Sequence, residues 1–231
     1  VPRAVCFDLF NTLVNVGSVP LSVGGTTAQV LGVDASEWNQ ACFSDDHEIC
    51  QPTNYVDVIR ALAYKLDPQI PLDRIEEATR QRQARFDYAL TSHISPEVVD
   101  TLHKLRDQGY QLALISNAST AEVQAWPESP LQSLFDASVF SCDVGMKKPD
   151  PAIYHYTAER LGVDAQQCVF VGDGGSDEHH GAHASGMTPL WLTCHLKADT
   201  ITRLQPKLQD TIIETCTSLD EVADWLVKQS C

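Results

Sequence analysis

The sequence predicts an α/β fold, a parallel sheet covered by helices on both faces and interrupted by one helical insertion. Three observations predict it. Short apolar runs recur along the chain: AVCFDLF, QLALISN, ASVFSC, QCVFVGD and TPLWLTC, with TIIETC as a last candidate. Segments of helical periodicity separate them, and strands alternating with helices build a parallel sheet buried on both sides. A long interval, about residues 15 to 93, follows the first run and holds no strong strand candidate.

AVCFDLF reads as the first strand, ending at Asp8. In the interval, NYVDVIRALAYKL and LDRIEEATRQRQARFDYAL carry apolar residues at helical spacing with charge on one side, and predict a helical cap. SPEVVDTLHKLRDQG opens with a Ser cap and a first-turn Pro and stops at Gly109. PAIYHYTAERLG ends at Gly162, and SLDEVADWLVKQ opens at Ser218. The expected organisation is a Rossmann-like core over residues 1–15 and 94–231 with an α-helical cap over 16–93. No internal repeat interrupts it.

Lys and Arg total 16 against 31 Asp and Glu, a formal charge of −15, so the average field repels nucleic acid and anionic membranes. No apolar stretch reaches membrane-spanning length. The expected partner is a small molecule. Of eight cysteines, Cys6, Cys142, Cys168 and Cys194 lie in or beside apolar runs, where Cys behaves as a small hydrophobe, and no CxxC pair occurs. The segment VPRAVCFDLF lacks a basic stretch followed by a long apolar one, so the expectation is a reducing cytoplasm.

Ligands of open parallel sheets gather beyond the carboxyl ends of the strands. Those ends carry Asp8; then Ser116 and Asn117; then Lys147 and Lys148 after a loop; then Asp173, Asp177 and Glu178. Acids at two ends, a small polar pair at a third and a nearby lysine converge on one face. His179, His180 and His183 follow on a helix, where exposure is expected rather than metal binding.

FDLFNTLV, ISNAS, GMKKPDPAIY and VGDGGSDEHHGAHASGM, in this order, resemble the four motifs of the haloacid dehalogenase-like hydrolases. The resemblance covers roughly residues 4 to 16 and 95 to 195, and the insertion is placed like the helical cap of one subfamily. It implies that Asp8 is a nucleophile passing through an aspartyl intermediate. Thr12 would hold the nucleophile loop, and Asn11 stands where the family often has Gly. Ser116 and Asn117 would bind oxygens of the transferred group, and Lys148, rather than Lys147, would offset the clustered carboxylates. A Mg²⁺ would sit on Asp8, Asp173 and the backbone carbonyl of Phe10, with Asp177 or Glu178 completing the site.

Phe10 is the departure. Family phosphatases usually carry a second Asp at that position as general acid and base. An aromatic there resembles the haloacid dehalogenases, whose halide leaves without a proton, but those generally lack the Gly-Asp pair that GDGGSDE retains. The reading is therefore a Mg²⁺-dependent phosphatase, with haloacid dehalogenase as alternative and a weakly active ligand-binding relative after it. A phosphonatase would need a cap lysine, and Lys65, the candidate, sits in a helical context that reads as structural. Arg60, Arg82 and Arg85 are the cap residues that specificity or a solvated helix face could each explain.

Overall fold

The computed structural model describes residues 1–49 and 55–229. Six parallel strands form one sheet in the order β3-β2-β1-β4-β5-β6. They are β1 (Ala4–Phe7), β2 (Gln111–Ser116), β3 (Ala137–Phe140), β4 (Cys168–Gly172), β5 (Thr188–Leu192) and β6 (Glu214–Cys216). The chain runs outward from β1 through β2 to β3, then crosses back to β4 on the other side of β1. The strand order therefore reverses between β1 and β4, the place where such sheets open a crevice for ligands.

Alternation along the strands sorts the two faces. Val5 and Phe7 of β1, Leu112 and Leu114 of β2, and Val169 and Val171 of β4 point into one core, which is closed by Leu102 and Leu105 of α6 (Pro96–Asp107) and Leu226 of α11 (Leu219–Gln229). Ala4, Cys6, Ala113, Ala137 and Cys168 line the other face. These small side chains let α8 (Pro151–Leu161) lie close to the sheet and bury Ile153, Tyr154 and Ala158 there. α8 begins at Pro151 with the Asp150 carboxylate accepting the Ala152 N–H at 2.9 Å, and it stops at Gly162 in the left-handed region.

Between β1 and β2 lie α1 (Thr27–Leu31), α2 (Ala35–Cys42), α3 (Asp45–Glu48), α4 (Tyr55–Leu66) and α5 (Leu72–Thr91). They share a third core of Leu31, Trp38, Ile59, Leu62, Ile75 and Ala78. The two long periodic segments are α4 and α5; Asn54, the first residue of the predicted α4 segment, lies outside the described residues. The short helices α1 to α3 are too brief to show a period, though α1 carries a Thr26–Gln29 capping box and α2 the Asp34 cap. Among the described residues no helix is long and apolar enough to cross a membrane.

Several residue-level expectations need correcting. Cys6, Cys142 and Cys168 are buried free thiols, but Cys194 is exposed because β5 ends two residues before it. His179 is fully buried rather than exposed: α9 (Glu178–Ala184) turns it toward the sheet, where its Nε2 lies 2.9 Å from the Leu190 carbonyl. Lys147 pairs with Glu48 at 2.8 Å and Asp45 at 2.9 Å, tying α3 to the core.

Candidate active site

Asp8 follows β1 directly, its N–H continuing the sheet ladder to the Val171 carbonyl at 2.9 Å. The chain then turns sharply. Asn11 takes the left-handed region at φ 61°, a conformation Asn tolerates better than most side chains, and its N–H reaches the Val14 carbonyl at 2.8 Å. The turn buries Thr12 completely and aims its hydroxyl at Asp8 Oδ2, 2.9 Å away. Lys148 Nζ donates to Asp8 Oδ1 at 2.6 Å and to Glu178 Oε2 at 2.6 Å. Both oxygens of Asp8 are thereby fixed.

Asn117 is occupied in holding that lysine. Its Oδ1 accepts the Lys148 N–H at 2.8 Å and its Nδ2 donates to the Lys148 carbonyl at 2.9 Å. Ser116 ends β2 with a buried hydroxyl that has no hydrogen-bond partner among the described residues. Asp173, just past β4, accepts the Gly175 N–H at 2.8 Å, and its carbonyl accepts the Trp191 indole N–H at 2.8 Å.

Ser176 and Asp177 then both adopt positive φ, 53° and 49°, before α9 begins. This double left-handed step is unfavourable by roughly 1–2 kcal/mol per residue and leaves Asp177 exposed while Glu178 turns inward. Glu178 is 1% exposed and accepts the Gly174 N–H at 2.9 Å. Gly172 makes room for it, since a Cβ there would lie 2.2 Å from Glu178 Oε1.

Among the described residues, Asp8, Asp173 and Glu178 form the group with ligand oxygens all within 4.8 Å of one another. Asp177 is outside it. Burial and the Asp8 charge push the Asp173 carboxyl up to about 6, against the pull of the Gly175 N–H, Lys148 and Asn11. Burial also pushes Glu178 up to about 8; Lys148 opposes this, and the charges of Asp8 and Asp173 add to it. For Lys148 burial favours the neutral amine, but Asp8 and Glu178 outweigh it and the pKa is raised. When all three carboxylates are ionised, one ammonium leaves them a charge of −2, and a hard divalent cation with oxygen ligands suits that set.

The group opens into a cavity of about 610 Å³ whose other wall comes from the insertion and from the loop after β2. Phe10 packs edge-on against Phe86 of α5 at 5.2 Å, and the Arg82 guanidinium lies 4.7 Å over the Phe86 ring. Arg82 also pairs with the buried Glu122 and donates to the Thr27 hydroxyl at 3.3 Å. Glu122 accepts the Ser119 N–H at 2.8 Å, and His47 Nε2 lies 3.7 Å from its Oε1. Of the other basic residues named from sequence, Arg85 binds the carbonyls of Val16, Val19 and Gly24, Arg60 pairs with Asp57 on the surface, and Lys65 pairs with Asp46. His47, Glu48 and Glu122 had no sequence signal, because no motif or period marks residues that meet only through tertiary packing.

A model of the haloacid dehalogenase-like hydrolase family matches residues 2–184. The chain belongs to that family. This hydrolase is 31% identical to a phosphoglycolate phosphatase of Shigella boydii over 83% of its own length and 81% of that protein's. It is 27% identical to (S)-2-haloacid dehalogenase 4A of Burkholderia cepacia, over 73% and 74%. In structure it resembles a dehalogenase solved as an intermediate complex, with a TM-score of 0.71 and 21% identity over 96% and 95% of the two chains, a likeness of fold. Both chemistries therefore stand among its relatives.

Proposed function

We propose that this hydrolase is a Mg²⁺-dependent phosphatase acting on a small phosphorylated metabolite in the cytoplasm, with Asp8 as nucleophile. The observation that supports it most is the carboxylate group of Asp8, Asp173 and Glu178, drawn within 4.8 Å around a single ammonium. A carboxylate that attacks carbon needs no cation beside it. A phosphatase needs them for its cation.

The carboxylates of Asp8, Asp173 and Glu178 and the Phe10 carbonyl would hold the ion, with exposed Asp177 beyond them. A Mg²⁺ held there would supply positive charge to offset that of the phosphoryl group. Thr12 and Lys148 each hold one oxygen of Asp8, which fixes the carboxylate plane for in-line attack on phosphorus. Attack forms the Asp8–phosphorus bond as the ester P–O bond breaks and its electron pair leaves with the alcohol oxygen. Water then attacks phosphorus, releasing phosphate and Asp8. Lys148 and the Ser116 hydroxyl stabilise the phosphoryl oxygens, while Asn117 keeps Lys148 in register.

A second reading, haloacid dehalogenase, is favoured by Phe10 and by the Burkholderia relative. The test is phosphate release from p-nitrophenyl phosphate and acetyl phosphate with and without Mg²⁺, beside chloride release from chloropropionate. Mg²⁺-stimulated phosphate release that Asp8→Asn abolishes is the expected result. Metal-independent chloride release overturns the proposal in favour of the dehalogenase, and neither release favours a ligand-binding relative.

A further inference from the structure

In the proposed reaction the leaving oxygen must collect a proton, and residue 10 offers only a phenyl ring packed against Phe86. Outside the strand-end group, several polar side chains line the same cavity. Glu48 is committed to Lys147 at 2.8 Å, and Glu122 to Arg82 and the Ser119 N–H. Lys197 is exposed, and burial pushes the Cys42 thiol up to about 11. Arginines keep their protons near neutrality. His47 differs from all of these: it is 2% exposed, and among the described residues its Nε2 has no hydrogen-bond partner.

The turn that carries His47 is bolted to the loops that carry the strand-end group. The Glu48 carbonyl accepts the Ser141 hydroxyl at 2.5 Å, and the same hydroxyl accepts the N–H of Ala118, next to Asn117. Lys147, next to Lys148, holds Asp45 and Glu48. An imidazole is thus anchored over the ends of β2 and β3, and a carboxylate oxygen of Glu122 lies 3.7 Å from its Nε2.

We infer that His47, oriented by Glu122, is the proton-transfer group of this site, protonating the leaving alcohol and then accepting a proton from the attacking water; the inference rests on the phosphatase reading. As the P–O bond breaks, the imidazolium N–H gives its proton to the departing oxygen, whose electron pair takes it up. The neutral ring then takes a proton from water as the water oxygen bonds phosphorus, which restores the imidazolium. Burial holds the resting ring below its ordinary pKa of 6.5; Arg82 lowers it further, and Glu122 and the Cys42 backbone oppose them. A phosphate dianion entering the cavity adds negative charge that favours the protonated ring.

The experiment compares His47→Gln with the native protein on β-glycerophosphate, whose alkoxide needs protonation, and on p-nitrophenyl phosphate, whose phenolate does not. The expected result is a fall of ~10²–10⁴ in kcat/KM, which reports the step that forms the aspartyl phosphate, on the glycerol ester, against less than about tenfold on the aryl ester. Equal loss of kcat/KM on both esters, or no loss on either, overturns the inference. Since a buried variant can fail to fold, the native protein supplies a second measurement, kcat/KM across alkyl and aryl esters. A shallow dependence on leaving-group basicity supports a built-in donor, and a steep one overturns it. Native protein that releases no phosphate from any ester removes the phosphatase reading and this inference together, whereas native turnover that His47→Gln leaves unselective removes the inference alone.

Discussion

The two walls of the cavity are built differently. On the sheet side, Asp8, Lys148 and Glu178 come from segments fixed by β1 and β4 or by Asn117 at the end of β2, and their contacts run from 2.6 to 2.9 Å. On the insertion side, His47, Arg82 and Glu122 come from α3, α5 and a loop; Arg82 pairs with Glu122, which also accepts the Ser119 N–H at 2.8 Å, and a ring contact at 5.2 Å and a charge contact at 3.7 Å lie beside them. The sheet wall is held by backbone hydrogen bonding among parallel strands, so its side chains have little freedom. The insertion wall belongs in part to a separate core, so changes to its residues select which esters turn over rather than abolishing turnover of all of them. Damage to the first wall should therefore suppress every substrate, and damage to the second should discriminate among them.

The largest effect tests the sheet wall. Lys148→Met removes the ammonium that bridges Asp8 and Glu178 while keeping most of the side-chain volume. In the proposed mechanism kcat falls by about 10²–10³ on alkyl and aryl esters alike. Leaving buried carboxylates without their partner also costs about 3–5 kcal/mol, which thermal unfolding of the metal-free protein will report. Selective loss on one ester class would erase the contrast between the walls.

Next comes Gly172→Ala. Its Cβ would meet Glu178 Oε1 at 2.2 Å and Glu178 Cδ at 2.7 Å, deep in the sheet where β4 cannot yield. Glu178 must swing away, and a Mg²⁺ titration of activity is expected to show affinity lower by about 10–100-fold. Asp177→Asn, on the exposed residue beside it, is expected to leave that titration unchanged. The reverse outcome would transfer the supporting role to Asp177.

This pair also shows how far the sequence could be read. Asp8 and Asp173 stood out because an acid at the end of an apolar run has a fixed position on a parallel sheet, whereas Lys148 was singled out from Lys147 only by the family resemblance of GMKKPDPAIY. The choice between Asp177 and Glu178 was not, because it depends on two consecutive left-handed residues that neither Ser176 nor Asp177 advertises. Asn117 was legible as a site residue, but its engagement with the Lys148 backbone is a contact across 31 positions. α4 and α5 showed their period; α3, four residues long, could show none, and with it His47 and Glu48 stayed hidden.

On the insertion wall, Arg82→Met leaves Glu122 buried without the guanidinium, and the loss of one partner is expected to cost up to about 3–5 kcal/mol. Adding Glu122→Gln removes the stranded charge. The double variant is therefore expected to unfold at a higher temperature than Arg82→Met alone, with kcat on p-nitrophenyl phosphate within about tenfold of native and KM values altered ester by ester. A uniform loss of kcat would place Arg82 with the sheet wall instead.

The smallest effect is the dependence of stability on pH and metal. Asp173 rises from 3.8 to about 6 on folding and Glu178 from 4.5 to about 8, so the folded protein without metal binds more protons than the unfolded chain between those values. Stability follows the difference in bound protons, so these two groups favour the fold most below about pH 4 and lose that contribution as pH rises through 6 and then 8. Buried His179, held down to about 4, and His47, also lowered by burial, act the other way below pH 6.5, so in EDTA the melting temperature is expected to decline from pH 6.5 to pH 8.5. Mg²⁺ binds the ionised carboxylates, so its stabilisation should grow over the same interval. A Mg²⁺ increment that is the same at both ends of that range would mean the carboxylates are not the ligands, since no other group of three acids that close together occurs among the described residues.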